Sequence, residues 1–549
     1  PIPIRIFFKS DVNLLFVVES FDMCVCWYAN ADCFSGQAMC WNFETAKTAI
    51  KLDLVSLMQS SLNGLVFFKT LHMIPYSTQT DTRTERDVVR AVKREHSFAK
   101  FPRANVNKEM ILQMAKDNAV QFVDMQFSDI FGVLKAVTIP VHKLEDALTH
   151  NVWFDGSSID GFTRIMEADM YLKPDMNTFT VLPWTKNGED VTARLICDVY
   201  MPDGTPFEGD PRFVLKRQLE RAEKLGFTFN TGPEFEFFLF TTNEAGEAEA
   251  VHDNAGYFDQ TTDLALQIRR HMAFSLDEMG IEVEALHHEV AEGQHEINFK
   301  YGDALATADN ATSFKLTLKA VAQRMGLHAT FMPKPFFGKN GSGMHVHQSF
   351  SKIENGSNAF YDKEGTYGLS KLAQSFIAGQ LKHIKAMNAI INPVVNSYKR
   401  LVVGYEAPVN VAWGQQNRSA LIRVPRINPE LAERASRIEL RCPDPSANPY
   451  LAFAVMLAAG LDGIENGLEA PAPLEVDIWA LNAEEMAEKG ITTVAANLHE
   501  AIEALKNDDV IRGALGEHLF EHFYTAKMTE WDEYRMHVSE WELKKYMDK

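Results

Sequence analysis

In the run 232–240, GPEFEFFLF, two carboxylates stand two residues apart among strand-forming aromatics. On a strand, alternate side chains share a face, so Glu234 and Glu236 point one way while Phe235, Phe237 and Leu239 point the other. Two like charges side by side repel, and leaving them unpaired in a core is costly. The pair therefore calls for a positive partner. Three other segments repeat the pattern. EVEALHHEVAEGQHEIN sets Glu284, Glu289 and Glu296 around a glycine turn, GSGMHVHQS sets His345, His347 and Ser349 at period two, and ASRIELRCPDP does the same with Arg437, Glu439 and Arg441.

Carboxylates with imidazole suit a hard or borderline divalent cation, and several carboxylates suit more than one. Arginines on the same wall suit a carboxylate or phosphate held through bidentate hydrogen bonds. Two metals, glutamate ligands and arginine clamps outline a phosphoryl-transfer site. Each signal is weak alone. Alternating Glu usually marks a solvated face, His287 and His288 read first as packed or surface residues, and RIELR reads as a salt-bridge ladder. Their joint occurrence favours the chemical reading. The glycine-rich GKNGSG at 338–343 fits neither G-x-G-x-x-G nor G-x-x-x-x-G-K-[ST]; it suits close backbone approach to a ligand.

The elements that must position these groups are spread over a chain of 549 residues, long enough for two or three domains. At 46% hydrophobic and 23% charged it reads as an ordinary globular protein. A formal net charge of -20 argues against nucleic acid and for metal cations or small ligands met at local positive patches. No apolar run is long enough to span a bilayer, so a cytoplasmic location is the expectation. Four of the six cysteines, Cys24, Cys26, Cys33 and Cys40, fall in the first 40 residues, without the paired spacing of a zinc ribbon. Cys197 and Cys442 alone give the main body no disulfide framework.

Residues 1–103 are aromatic and irregular and begin at Pro1, which reads as a poorly structured extension or an over-extended gene start. From Asn105 the pattern sharpens. NKEMILQMAKDN predicts an amphipathic helix, AVQFVDMQFSDIFGVLKAVTIP a hairpin, and TFTVLPW and TARLICDVY further strands, together a small domain over 104–208. MPDGTPFEGDPR marks its end. A larger domain over 209–549 alternates helices, among them RFVLKRQLERAEKLGF and TTDLALQIRRHMAFSLDEMG, with strands and ends in helices.

Seven motifs, in order, closely resemble the glutamine synthetases of the type I bacterial and archaeal class. They are WFDGSSIDGF (153–162), GPEFEFFLF, HHEVAEGQHEI, KPFFGKNGSGMHVHQS (334–349), NSYKRLVVGYEAP (396–408), NRSALIRVP (417–425) and RIELRCPDPSANPYL. The resemblance covers about 105–549 and leaves the first hundred residues unmatched. It implies an α+β architecture: a small β-grasp-like domain, then a catalytic domain with a curved antiparallel sheet of the glutamine synthetase and guanido kinase kind, with C-terminal helices. It implies glutamate, ammonia and ATP as substrates, glutamine, ADP and phosphate as products, and a γ-glutamyl phosphate intermediate.

It also implies roles. Two or more Mg2+ or Mn2+ ions would be held by Glu236, Glu289 and Glu296 and by Glu234, His345 and Glu439. Glutamate would meet Asn340, Gly341, Arg400, Glu406, Arg418 and Arg441. ATP would meet Glu284, His347, Ser349, Arg418, Arg423, Arg434 and Arg437. Asp155, Ser158, Tyr257 and Glu406 would form an ammonium pocket, with Asp155, Glu406 and Arg418 catalytic. The assembly implied is a double-hexamer dodecamer with active sites between subunits, free of nucleic acid and membrane. LEVDIWALNAEE, where some subtypes carry a regulatory tyrosine, has none, which points to the non-adenylylated subtype; there Arg164 occupies a position tied to feedback inhibition. Competing readings are a ligase for a larger amine, a homologue that lost catalysis, and a partner-binding role for 1–103.

Overall fold

The computed structural model describes residues 105–549, apart from 158, 160, 162–168, 187, 405–406, 418, 477, 479–480 and 482. Ahead of these it describes only backbone strands, of which Asn13–Val18, Ile2–Lys9 and Met23–Cys26 form one sheet in that order. The sequence expectations for the rest of 1–103, and those on Ser158, Arg164, Glu406 and Arg418, lie outside the described residues.

Helix α1 (Lys108–Asp117) starts where Asn107 caps it, its side chain accepting from the Met110 amide at 2.9 Å, a bond worth about 1 kcal/mol. The expected hairpin forms as β1 (Phe122–Ser128) and β2 (Leu134–Pro140), antiparallel with Met125 opposite Val137. Strands β3 (Val152–Asp155), β4 (Asp169–Pro174) and β5 (Thr192–Tyr200) complete a sheet ordered β2-β1-β5-β4-β3, in which β1 and β5 run parallel. TFTVLPW departs from expectation: only Thr180–Val181 is strand, because Pro183 has no amide to donate and opens a 3-10 turn instead. Val123, Met125, Leu172, Ala193 and Leu195 line the core of this domain.

Helix α2 (Pro211–Lys224) begins with Asp210 as cap and Pro211 in the first turn. Its Arg212 is 2% exposed and ties the small domain to the large one. The guanidinium donates to Asp198 at 2.6 Å and Asp175 at 2.8 Å on one side and to both oxygens of Asp309 at 3.0 Å on the other. Burying a charge is tolerable only with partners of this number and geometry.

The large domain is built on β6 (Phe227–Thr242), a 16-residue strand. Helix α3 (Leu266–Glu278) starts later than TTDLAL suggested, because Asp263 is held by the Ala265 amide at 3.0 Å and by Arg269, which keeps 261–265 in a turn. Strands β7 (Val283–His288) and β8 (Gln294–Phe299) form a hairpin; α4 (Ala304–Arg324) follows, then β9 (Met344–Lys352). Helix α5 (Lys371–Ile391) precedes β10 (Asn410–Gly414), β11 (Ala420–Arg423) and β12 (Ile438–Leu440). The sheet order is β7-β8-β6-β9-β12-β11-β10, with shorter strands flanking β6.

Behind the sheet, α6 (Pro449–Glu465) is buried over nearly its whole length. It crosses α5 so closely that a Cβ on Gly379 would meet the Ala459 carbonyl at 2.0 Å, and one on Gly463 the Ser375 carbonyl at 2.0 Å. Helix α7 (Glu517–Met536) adds Leu519, Phe520 and Phe523 to this core. Among the described residues, no helix is long and apolar enough to cross a membrane.

Candidate active site

Alternation along β6 puts Phe235 and Phe237, both 0% exposed, into the core and Glu234 and Glu236 onto the opposite face. β9 repeats it: Met344, Val346 and Phe350 are buried, while His345, His347 and Ser349 face the other way. Register then lines up the ionisable groups across the sheet. Glu296 stands opposite Glu236, His287 opposite Glu296, His345 opposite Glu234, and Glu439 opposite both His347 and Arg423. Residues remote in sequence become one row by strand pairing.

Two groups within this row have donor atoms close enough to share a cation. In the first, Glu234, His345 and Glu439 offer atoms within 4.8 Å of one another, with His345 Nδ1 3.5 Å from Glu234 and 3.6 Å from Glu439. In the second, His287, Glu289 and Glu296 do the same, with the ring 3.4 Å from Glu289 and 3.5 Å from Glu296. Glu236 lies beside the second group; its Oε2 accepts from Gln294 and from the Gly343 amide, both at 2.9 Å. His287, read from sequence as a packed or surface residue, is wedged between two of the expected ligands. Hairpin register placed it there, and no local pattern signals register.

The two groups differ in charge balance. Burial alone would raise Glu234, but hydrogen bonds with His345 and His347 outweigh it and hold the carboxyl far below its usual range. Burial likewise opposes ionisation of Glu439, yet His347, His345, Arg441 and Arg423 together hold it low. Arg423 Nε donates to Glu439 at 2.5 Å and Arg441 Nε at 3.2 Å. In the second group burial, then the charges of Glu236 and Glu296, push Glu289 up to about 8. Burial and Glu296 also raise Glu236, against His345 and Arg400. Crowded carboxylates in an oxygen-and-imidazole donor set, with His287 as their one ion-pair partner among the described residues, fit divalent cations.

A third grouping, Asp253, His288 and His295, also has donor atoms within 4.8 Å, but its protons are committed. His288 Nδ1 meets the Glu289 carbonyl at 2.6 Å and Nε2 meets Asp253 at 2.9 Å, so both nitrogens donate. Arg269, which can only donate, meets His295 Nδ1 at 2.8 Å and leaves the proton on Nε2. In this hydrogen-bond pattern the grouping is satisfied by its own partners.

The glycine-rich loop comes against the row. A Cβ on Gly341 would meet the Pro333 carbonyl at 2.2 Å, and Gly341 itself accepts from Gln294 at 3.1 Å. Asn340 is next to it and half-buried. Arg400 is buried, its guanidinium donating to the carbonyls of Cys442 at 2.8 Å and Pro443 at 3.2 Å. Arg437 donates to His347 at 3.3 Å; burial lowers it most, against the charges of Glu439, Glu234 and Glu284. Glu284 is exposed on β7, Ser349 sits on β9, and Arg434 is exposed with its carbonyl accepting from Asn358 at 3.3 Å. Tyr257, exposed, stacks on Phe258 at 3.9 Å and lies edge-on to His287 at 5.7 Å. Asp155 is elsewhere: exposed on the edge strand β3, with its carboxylate accepting from the Ser157 amide at 2.8 Å.

Sequence reasoning missed the brace of the turn after β10. Glu475 accepts from the amides of Gln415 and Gln416, both at 2.7 Å, and from Tyr367. Asn417 donates to Val476 at 2.7 Å and caps Ser419 at 2.9 Å. No short motif signals these contacts.

Comparison with known proteins agrees with this architecture. Residues 119–202 match the family described as glutamine synthetase, beta-Grasp domain, and 208–546 that described as glutamine synthetase, catalytic domain. A glutamine synthetase of Clostridium saccharobutylicum is 55% identical over 448 residues, 81% of this chain and 100% of the relative. One from Thermus thermophilus is 54% identical over 449 residues, 80% of this chain and 98% of the relative. Among solved structures, a GmaS/ADP complex superposes with a TM-score of 0.72 at 33% identity, covering 80% of this chain and 99% of that one. The chain belongs to the glutamine synthetase family. It is a glutamate–ammonia ligase, an enzyme that makes glutamine from glutamate and ammonia with ATP and a divalent metal.

Proposed function

We propose that the ionisable row is the reaction face of this ligase, with Mg2+ or Mn2+ held by Glu236, Glu289 and Glu296 in one half and by Glu234, His345 and Glu439 in the other. The observation that carries this is the register of β6, which sets the two donor groups side by side on adjoining strands. His287 joins the first half as a further donor. When bound, such ions neutralise the ATP phosphates and favour phosphoryl transfer to the glutamate side chain, which gives γ-glutamyl phosphate.

The chain's own residues hold the reactants. Gly341, by close backbone approach, and Asn340, Arg400 and Arg441 receive glutamate. Glu284, His347, Ser349, Arg423, Arg434 and Arg437 line the nucleotide side. Arg418 faces charge as it develops during phosphoryl transfer. Ammonium has no lone pair for attack, so Asp155, with Ser158, Tyr257 and Glu406, draws it in and takes a proton. Asp155 lies on an exposed sheet edge, which supports its use by the neighbouring copy in a double hexamer. Glu406 shields the acyl phosphate from water.

The small domain at 104–208, the catalytic domain at 209–549, a dispensable extension at 1–103, a cytoplasmic location and control without adenylylation complete this reading. The experiment is metal-dependent ADP release with glutamate and ammonium. Dependence on both co-substrates is expected. A preference for a bulky amine over ammonium would overturn the ammonium pocket, and metal-independent turnover would overturn the ligand assignment. Deleting 1–103 should leave assembly and activity intact, and Arg164→Ala should weaken inhibition by glutamine.

A further inference from the structure

The face of the β7–β8 hairpin turned away from the reaction row carries a second, buried polar network. His288 and His295 are register partners, 1% and 0% exposed, with ring centroids 4.7 Å apart. Their neighbours Glu289 and Glu296 belong to the row. Period-two alternation thus places Glu289 and Glu296 on one surface and this network behind them.

Its anchor is Asp253, 3% exposed, from the turn after the strand Ala248–Val251. Oδ1 of Asp253 accepts from His288 Nε2 at 2.9 Å and from the Gly293 amide at 3.2 Å. It thus grips both ends of the 289–294 turn. His288 passes the constraint on, because its other nitrogen donates to the carbonyl of Glu289 at 2.6 Å. On the far strand, Arg269, itself paired with Asp263, fixes the His295 ring at 2.8 Å. Nothing in the ligase reading uses Asp253. Yet it is a buried carboxylate on a doubly donating histidine, a costly arrangement unless its geometry is needed.

We propose that Asp253 is a positioning residue for the metal-binding half formed by Glu289 and Glu296: through His288 and the Gly293 amide it fixes the turn that aims both carboxylates. The inference rests on the reading of those glutamates as ligands. Partners behind metal ligands typically change metal affinity by about 10–100-fold when removed.

The test is Mn2+ titration of the full-length protein, followed by the paramagnetic signal of the free ion. Asp253→Asn, which keeps the shape and loses the charge, should weaken the affected class of Mn2+ sites by about tenfold or more. Excess Mn2+ should then restore kcat, with the KM for glutamate unchanged. His288→Gln should act in the same direction. Urea unfolding of each variant in EDTA separates weakened ion binding from a global loss of stability, which excess ion could also offset by mass action. A folded Asp253→Asn protein with wild-type Mn2+ affinity overturns the proposal, as does lost activity that excess Mn2+ leaves unrestored. Should Asp253→Asn not fold, His288→Gln decides alone on the same two readouts. Glu296→Gln separates the layers: wild-type Mn2+ binding there sinks the ligand reading itself, whereas weakened binding there with Asp253→Asn unaffected sinks only the positioning role.

Discussion

The two halves of the reaction row hold the same kinds of side chain in opposite electrical states. Around Glu439 the carboxylates are outnumbered, with Arg423, Arg441 and His345 all within 3.6 Å of it and His347 on Glu234 at 2.9 Å. Around Glu289 the balance is reversed: Glu289 and Glu296 share the His287 imidazole, and the neighbouring Glu236 adds a third carboxylate. The first half is held together by the chain alone. The second stores repulsion that a bound cation, or a proton on Glu289, relieves. Two ion sites on one sheet therefore differ in what they need before the ion arrives.

Substitutions sharpen or break that contrast. Glu296→Gln in the acid-rich half should be the most damaging, lowering turnover by roughly 10^2- to 10^3-fold with loss of one class of Mn2+ sites. A variant that turns over normally would erase the distinction. Arg423→Ala in the paired half leaves Glu439 with Arg441, so about a tenfold rise in the KM for ATP is expected, with Mn2+ binding intact. Glu289→Gln removes a like charge. In EDTA at pH 8 or above, where the folded carboxyl ionises, it should raise stability by about 1 kcal/mol, read from urea unfolding, although it costs activity. Addition of Mn2+ should stabilise the wild type more than this variant, which keeps the Glu234, His345 and Glu439 half.

The smallest effect belongs to a control outside the row, where His383 lies between Asp508 at 2.6 Å and Asp462 at 3.0 Å. Burial pulls this imidazole down, but the two hydrogen bonds outweigh it and raise the folded value above the ordinary 6.5. The folded state thus holds the proton more tightly than the unfolded chain. Its stabilisation is complete below the unfolded pKa and fades as pH rises through the folded one. His383→Gln should flatten the slope of the unfolding midpoint on the alkaline side of pH 6.5; an unchanged slope would show that the pairing is idle.

What was legible in the sequence follows from the range of the forces involved. Period two in PEFEF and MHVHQS reports which face a side chain takes, and Phe235 and Met344 lie in the core as that period requires. The hairpin 122–140 and the helix Pro211–Lys224 were visible because turn formers and caps act within a few residues. His287 between two carboxylates, Glu475 under the turn at 415–416, and Asp253 behind 289–294 were not visible. Each joins segments whose relative shift is set by the pairing of long strands or the docking of a loop, and one chain carries no local trace of that choice. TFTVLPW failed for a local reason: Pro183 ended the strand that its β-branched neighbours favoured.

Arg212 has a consequence for anyone who would divide this enzyme. Its guanidinium is shared among Asp175 and Asp198 of the small domain and Asp309 of the large one. A fragment cut ahead of Asp210 would keep the cation, forfeit two of its three anions and uncover the surface around it. A minimal catalytic fragment would need a neutral, well-fitting side chain at 212 before its behaviour could be compared with the parent's.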